Sequence, residues 1–279
     1  MNPAPTNSTA VQPTPVVGRD VLLAHGTHVA LAGADFDLAP GTLTSIIGPN
    51  GSGKSTLLHG IAGLLKPTQG SIEVGGKPAG AGRSKIAYVL QSTRVHEHLP
   101  VTVREVVTMG RYGHRGLLSP LRRSDRQAVD VAMRRLAVED LASRQIRELS
   151  GGQRQRVFVA QGLAQEAAVL LLDEPVMGLD LISHRRILEV MNEERDQGRV
   201  VIATTHDLGE AAHADHVLLL AGRIVAAGPP SEVLTAEHLA AAYRQRLIRL
   251  NDGVLMLDDA PHHHADDLGE VHPYPGHRH

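Results

Sequence analysis

The chain has 279 residues, 42% hydrophobic and 21% charged, which suits one large α/β domain or one domain with a subdomain. Aromatic residues make up 2% and tryptophan is absent, so the core has to be built from Leu, Val, Ile and Ala. A net charge of -2 removes the electrostatic argument for nucleic acid as a main partner, and the lack of cysteine excludes disulfides, thiolate metal sites and cysteine nucleophiles.

Residues 1–16 are rich in Pro, Ser, Thr and Asn and read as a disordered lead-in. They show no basic segment followed by an apolar core, so no signal peptide is expected. No apolar run approaches the roughly 18 residues that span a bilayer. A cytoplasmic location follows as the expectation, with any membrane contact made through a partner.

Val21 to Phe36 mixes short apolar stretches with Gly and predicts an antiparallel hairpin ahead of the Pro40-Gly41 turn. The apolar run Thr42 to Ile47 then leads into Gly48-Pro49-Asn50-Gly51-Ser52-Gly53-Lys54-Ser55-Thr56, and a helical pattern follows to Ile61. Strand, glycine-rich loop and helix in that order are what a phosphate-binding loop requires. Glycines at 48, 51 and 53 allow the backbone amides to approach an anion, and the helix N-terminus adds unpaired N–H groups. Lys54 is expected to reach the β- and γ-phosphates, and the Ser55 hydroxyl to ligate Mg²⁺.

Gly70 to Val74 and Lys85 to Leu90 predict two further strands around a Gly-rich turn. Residues 92–165 change character and are expected to form an inserted helical subdomain. Thr102-Val-Arg-Glu105 and Ser124-Asp-Arg-Gln127 read there as capping boxes. The sheet returns with Val169 to Asp173, a continuous apolar run of the kind buried on both faces of a parallel sheet. A helix over about 183–197, strands over 199–204, 216–221 and up to 227, and short helices near 210, 231 and 235 complete the pattern. No internal repeat is present, so one nucleotide site per chain is expected.

Leu149-Ser150-Gly151-Gly152-Gln153 is the second specific string. Ser150 is placed to cap a helix, Gln153 to complete the capping box, and the two glycines to expose backbone. With this motif beside a phosphate loop, residues 17–250 resemble an ATP-binding cassette ATPase. The fold that resemblance implies is α/β: a P-loop NTPase core with an N-terminal antiparallel β-subdomain and the inserted helical subdomain.

Leu170 to Pro175 resembles the family's Walker B segment, in which Asp173 holds Mg²⁺ and Glu174 polarises the attacking water. The resemblance also implies a contact of Gln91 with Mg²⁺ and the lytic water, and of His206 with the γ-phosphate. It makes Asp180 part of the loop coupling opposing sites. His25 stands where the family commonly places an aromatic to stack on adenine, which leaves selectivity for ATP over GTP open. The glutamine loop reads Val-Leu-Gln where Val-Pro-Gln is frequent, with little consequence expected. Leu149 to Gln153 matches that family's signature, which there serves a second subunit's site, so a head-to-tail homodimer around two ATP molecules is expected.

His98 to His114 resembles the corresponding stretch of ATPases from zinc, manganese and iron importers. The partners implied are a membrane permease and an extracytoplasmic metal-binding receptor, with the chain at the cytoplasmic face of the membrane. Arg111, Arg115, Arg122, Arg123 and Arg126 form a basic cluster, facing either those partners, phospholipid or solvent.

Residues 251–279 form a tail carrying His262, His263, His264, His272, His277 and His279 among Asp and Glu residues. Imidazole with carboxylate suits Zn²⁺ and other first-row divalent ions, bound loosely in a segment expected to be disordered. The leading expectation is therefore a zinc importer's ATPase. Importers of manganese, iron or a siderophore are the alternatives, followed by a soluble cassette protein of translation or DNA repair. A phosphoryl-transfer kinase has no use for the signature.

Overall fold

A computed structural model of the chain describes residues 15–81, 85–90, 100–115, 120–243, 247–249 and 255–257. Its expected class holds: an antiparallel sheet, a mainly parallel sheet and a helical subdomain between strands of the latter.

The N-terminal sheet begins with the predicted hairpin, β1 (Val16–His25) and β2 (His28–Leu38). β4 (Gln69–Val74) and the two-residue β5 (Lys77–Pro78) extend it in the order β2-β1-β4-β5. Val16 is fully buried and pairs with both Leu38 and Val74, so the fold starts one residue inside the expected lead-in. Residues 1–14 lie outside the described residues.

The central sheet runs β10-β9-β3-β8-β7-β6. β3 (Thr42–Ile47), β6 (Ile86–Val89), β7 (Val169–Leu172), β8 (Val200–Thr204) and β9 (His216–Leu220) are parallel, and β10 (Ile224–Gly228) closes the edge antiparallel to β9. β7 shows why these strands read as unbroken apolar runs. Val169 and Leu171 pack towards the antiparallel sheet and α1 (Lys54–Ile61), while Leu170 and Leu172 pack towards the helices on the other face. Side chains alternate across the sheet, so both alternating sets have to be apolar.

The helical face is built from α2 (Val103–Met109), α4 (Arg123–Arg135), α5 (Gly151–Leu163) and α6 (Leu181–Asp196), with the short α3 (Tyr112–Arg115) after α2. The capping box at Thr102 is present: Glu105 N–H donates to Thr102 Oγ1 at 3.3 Å and Thr102 N–H to Glu105 Oε2 at 2.7 Å. The expected box at Ser124 is not. Arg122 is the N-cap instead, its N–H donating to Asp125 Oδ2 at 2.8 Å, which puts Ser124 inside the helix. Asp125 is fully buried and also accepts from Arg111 at 3.1 Å; that second demand draws it to the third helical position. Arg111 is thereby removed from the expected basic surface, being buried against Asp125, Glu166 and the carbonyl of Ala164.

The subdomain is tied to the core through one buried carboxylate. Glu194 on α6 accepts from Arg135 of α4 at 2.5 Å and from Arg199 ahead of β8, while Arg135 also reaches Glu193 at 2.7 Å. Two guanidiniums facing one buried acid satisfy a charge that would otherwise be costly to desolvate.

After β9 and β10, α7 (Leu208–Ala211), α8 (Pro230–Val233) and α9 (Ala236–Tyr243) cover the far edge of the sheet around Ile47, Val217 and Leu219. A hairpin of β11 (Leu247–Arg249) and β12 (Leu255–Leu257) crosses the domain boundary expected at 250. The tail histidines from 262 onward lie outside the described residues.

Candidate functional site at the carboxyl edge of the central sheet

The parallel register aligns the motifs. Ile46 pairs with Thr204, Leu172 with Ala203, and Val89 with Leu172, so the loops after β3, β8, β7 and β6 emerge side by side at the carboxyl ends of the strands. This edge is where ligands bind in open α/β sheets. The glycine-rich loop follows β3, the Asp173-Glu174 pair follows β7, and His206 follows β8. Gln91 follows β6 but lies outside the described residues.

The loop from Gly48 to Gly53 is wound tightly. Ser52 N–H donates to Pro49 O at 3.1 Å and Gly222 N–H to Ser52 O at 3.0 Å. Gly48 has φ 150° and Gly53 φ 99°, conformations that side-chain-bearing residues rarely adopt. Space excludes a side chain too: a Cβ at Gly53 would stand 2.6 Å from Ala30 O, and one at Gly48 would strike Leu220 O. Pro49 is half-buried, whereas Asn50 and Gly51 are exposed at the rim.

Lys54 opens α1 and folds back over the loop, with Nζ donating to Gly48 O at 2.8 Å. It is only 8% exposed, and burial lowers its pKa from the ordinary lysine value. The negative charges of Glu174 and Asp173 pull in the opposite direction. A buried ammonium facing two acids across a ring of backbone amides is the charge pattern that receives phosphate oxygens and a cation. Ser52 Oγ is buried without a hydrogen-bond partner among the described residues, as expected of a cradle built for an added anion. Ser55 and Thr56 follow in the first turn of α1, both half-buried. His25, at the end of β1, is exposed and sits over that turn, with Nε2 3.4 Å from Thr56 Oγ1.

Asp173 is buried, and its N–H donates to Val89 O at 2.9 Å. Thr204 Oγ1 donates to Asp173 Oδ1 at 2.6 Å and accepts from Glu174 N–H at 2.8 Å. One hydroxyl on β8 therefore holds the Asp173 carboxylate and the Glu174 backbone amide together. Tyr88 on β6 adds a second donor, its hydroxyl 3.4 Å from Asp173 Oδ2; burial, and then the Asp173 charge, push the phenol pKa up and keep it protonated. Sequence reasoning missed Thr204 and Tyr88. A hydroxyl in an apolar strand run carries no signal until the neighbouring strand is known.

Glu174 holds φ 46°, unusual for a residue with a side chain, and such strain concentrates at functional sites. It lines a cleft of about 240 Å³ with His206, His184, Thr205, Asp207 and Glu210. The structure thus brings Glu174 and His206 together from β7 and β8.

Ser150 caps α5 as expected, accepting from Gln153 N–H at 3.3 Å, while Gln153 Oε1 accepts from Ser150 N–H at 3.0 Å. Gly151 is exposed with open space beside it, whereas Gly152 packs against Asp180 and Ser183. Asp180 caps α6 by accepting from Ser183 N–H at 2.9 Å, and that bond lowers its carboxyl pKa. The signature segment and Asp180 form one unit in which Met177, Leu181 and Ile182 stand 56%, 81% and 76% exposed. Those apolar side chains are uncovered in the single chain.

Among the described residues no helix is long and apolar enough to cross a membrane, and no cluster of three or more His, Cys, Asp or Glu side chains could hold a metal ion.

Comparison with known proteins gives a consistent result. A sequence profile of the family described as ABC transporter matches residues 31–177. The chain is 40% identical over 253 residues to the chelated iron transport system membrane protein YfeB of Yersinia pestis, covering 89% of this chain and 86% of that one. It is 40% identical over 222 residues to the manganese transport system ATP-binding protein MntA of Synechocystis, covering 78% and 85%. The zinc transport system ATP-binding protein TroB of Treponema pallidum is 38% identical over 230 residues, covering 82% and 86%. Among solved structures, an ABC transporter in an inward-facing conformation superposes with a TM-score of 0.74 at 27% identity, covering 87% of this chain and 98% of that chain.

Proposed function

This chain belongs to the ABC transporter ATPase family, and from that membership we propose that it hydrolyses ATP as the motor subunit of a divalent-metal importer whose cargo is zinc. The observation that carries the ATPase assignment is the convergence of Lys54, Asp173, Glu174 and His206 at adjacent strand ends. The glycine-rich loop and Lys54 hold the phosphates. Asp173, Ser55 and Gln91 supply oxygen ligands only, a set that suits Mg²⁺. When bound, that ion neutralises charge developing on the β- and γ-oxygens. Glu174 orients the attacking water, and His206 faces the γ-phosphate. His25 covers the base.

The site is completed by a second copy of this chain. Ser150, Gly151 and Gln153 form the N-terminal end of α5, far along the chain from the glycine-rich loop, and Gly151 has open space in front of it among the described residues. A second subunit packed head-to-tail brings that helix N-terminus to the other chain's γ-phosphate and covers Leu181 and Ile182. ATP then joins the halves, and hydrolysis releases them. Opening and closing drive a membrane permease from its cytoplasmic face, with an extracytoplasmic receptor delivering the metal.

Relatives named for chelated iron, manganese and zinc match this chain at nearly equal identity, so their names do not select the cargo. The six histidines of residues 262–279 favour zinc, because imidazole-rich ligation suits Zn²⁺ better than Mn²⁺. Uptake of radioactive zinc and manganese by cells lacking this chain tests the reading. Restored zinc uptake on re-expression supports it, and restoration of manganese uptake alone replaces zinc with manganese.

A further inference from the structure

One carboxylate beside the site is committed in two directions. Glu210, on α7, accepts from Thr205 Oγ1 through Oε2 at 2.6 Å and meets His184 Nε2 through Oε1 at 3.0 Å. An ionised carboxylate only accepts, so the His184 ring must carry its proton on Nε2. Both side chains are mostly shielded, with 20% of Glu210 and 32% of His184 exposed.

The two partners belong to different elements. Thr205 is buried, its N–H donates to Ile46 O at 3.1 Å, and its hydroxyl accepts from Asp207 N–H at 3.1 Å, so it fixes both sides of His206. Asp207 in turn caps α7, accepting from Gly209 N–H at 2.6 Å and Glu210 N–H at 3.1 Å. His184 is in the first turn of α6, where its own N–H donates to Asp180 O at 2.9 Å. A continuous set of hydrogen bonds therefore runs from Asp180, seated on Gly152, through His184 and Glu210 to the residue preceding His206.

We propose that Glu210 is a positioning residue for ATP hydrolysis. Its two oxygens clamp the His206 loop to α6, so that the placement of His206 is set from the Asp180 side of the site. The inference rests on the reading of His206 given above and deepens it. Glu210 is not assigned a contact with nucleotide. Its loss misplaces His206 without emptying the phosphate cradle, which is built from β3 and α1.

The test uses the full chain and measures kcat, KM, melting temperature and the Kd of a fluorescent ATP analogue. Glu210→Gln is the diagnostic change. It preserves volume but leaves one accepting oxygen for two donors, so kcat is expected to fall about 10-fold or more while Kd stays near wild type. His184→Ala is expected to fall similarly. His184→Gln keeps an N–H donor at nearly the same reach and is expected to recover most of the lost rate. The double change His184→Ala/Glu210→Gln should lose no more than the worse single change, because both break one linkage.

Wild-type kcat in Glu210→Gln and His184→Ala overturns the inference, as do fully additive losses or a Kd that weakens in step with melting temperature. His206→Ala separates the two levels. Loss of kcat there beside intact Glu210 variants refutes the linkage alone; wild-type kcat in His206→Ala refutes the role of His206 and the linkage with it.

Discussion

Replacing Gly152 with alanine places a methyl group where Asp180 and Ser183 already stand. Its Cβ would lie 2.6 Å from Ser183 Oγ and 3.0 Å from Ser183 Cβ, and would overlap Asp180 Oδ2. The carboxylate has to move, and with it goes the cap that Asp180 supplies to Ser183 N–H. Loss of an aspartate cap costs about 1 kcal/mol, and forcing a methyl into packed space typically costs ~1–3 kcal/mol. Alanine returns up to about 1 kcal/mol of helix propensity. The net is roughly 2 kcal/mol, which for a domain of this size lowers the melting temperature by about 4–8 °C. Gly151, its immediate neighbour, is the control. A Cβ there would meet nothing within 4 Å among the described residues, so Gly151→Ala should leave the melting temperature within about 2 °C of wild type. Because the proposed composite site sets Gly151 against the other subunit's nucleotide, the same change should suppress ATPase activity. Differential scanning fluorimetry beside steady-state ATPase rates reads both effects. Equal melting temperatures for the two variants would refute the packing argument, and undiminished activity in Gly151→Ala would refute the composite site.

Two further outcomes follow from individual residues. Thr204→Val removes the hydroxyl shared by Asp173 and Glu174 at constant shape, and strands a buried acceptor at a cost of about 1–3 kcal/mol; a Mg²⁺ titration of ATPase activity should shift to higher concentration, and an unchanged titration would remove Thr204 from the site. Deleting residues 258–279 should lower the zinc stoichiometry of the purified chain measured by equilibrium dialysis while sparing ATPase activity, whereas unchanged stoichiometry would refute metal binding by the tail.

The parts of this fold legible in the sequence were those set by local rules. The hairpin around Gly26, the run Val169 to Leu172 and the capping boxes at Thr102 and Ser150 all appear where periodicity and cap chemistry put them. The glycine-rich loop was legible because its geometry admits few sequences. What stayed hidden depends on neighbours distant in the chain. Ser124 looked like an N-cap because the competing use of Asp125, its bond to Arg111, comes from another helix. Thr204 looked like strand filler because its partners lie across the β7–β8 pairing. Arg111 looked like part of a basic surface, yet its side chain is buried and bonded to Asp125, Glu166 and the Ala164 carbonyl. The Glu210 linkage needs α6, α7 and β8 assembled before it exists. Strands as short as β5 or β11 carry too few residues for a period to show.

The account depends most on a site shared between two copies of the chain. Glu174→Gln keeps the shape of the cleft but removes the carboxylate proposed to orient the attacking water, so bound ATP should persist and hold the halves together. Size exclusion with light scattering, in the presence of ATP and Mg²⁺, should then give a particle of twice the 29.8 kDa chain mass, reverting to single mass with ADP. A particle of single mass with ATP bound would contradict it.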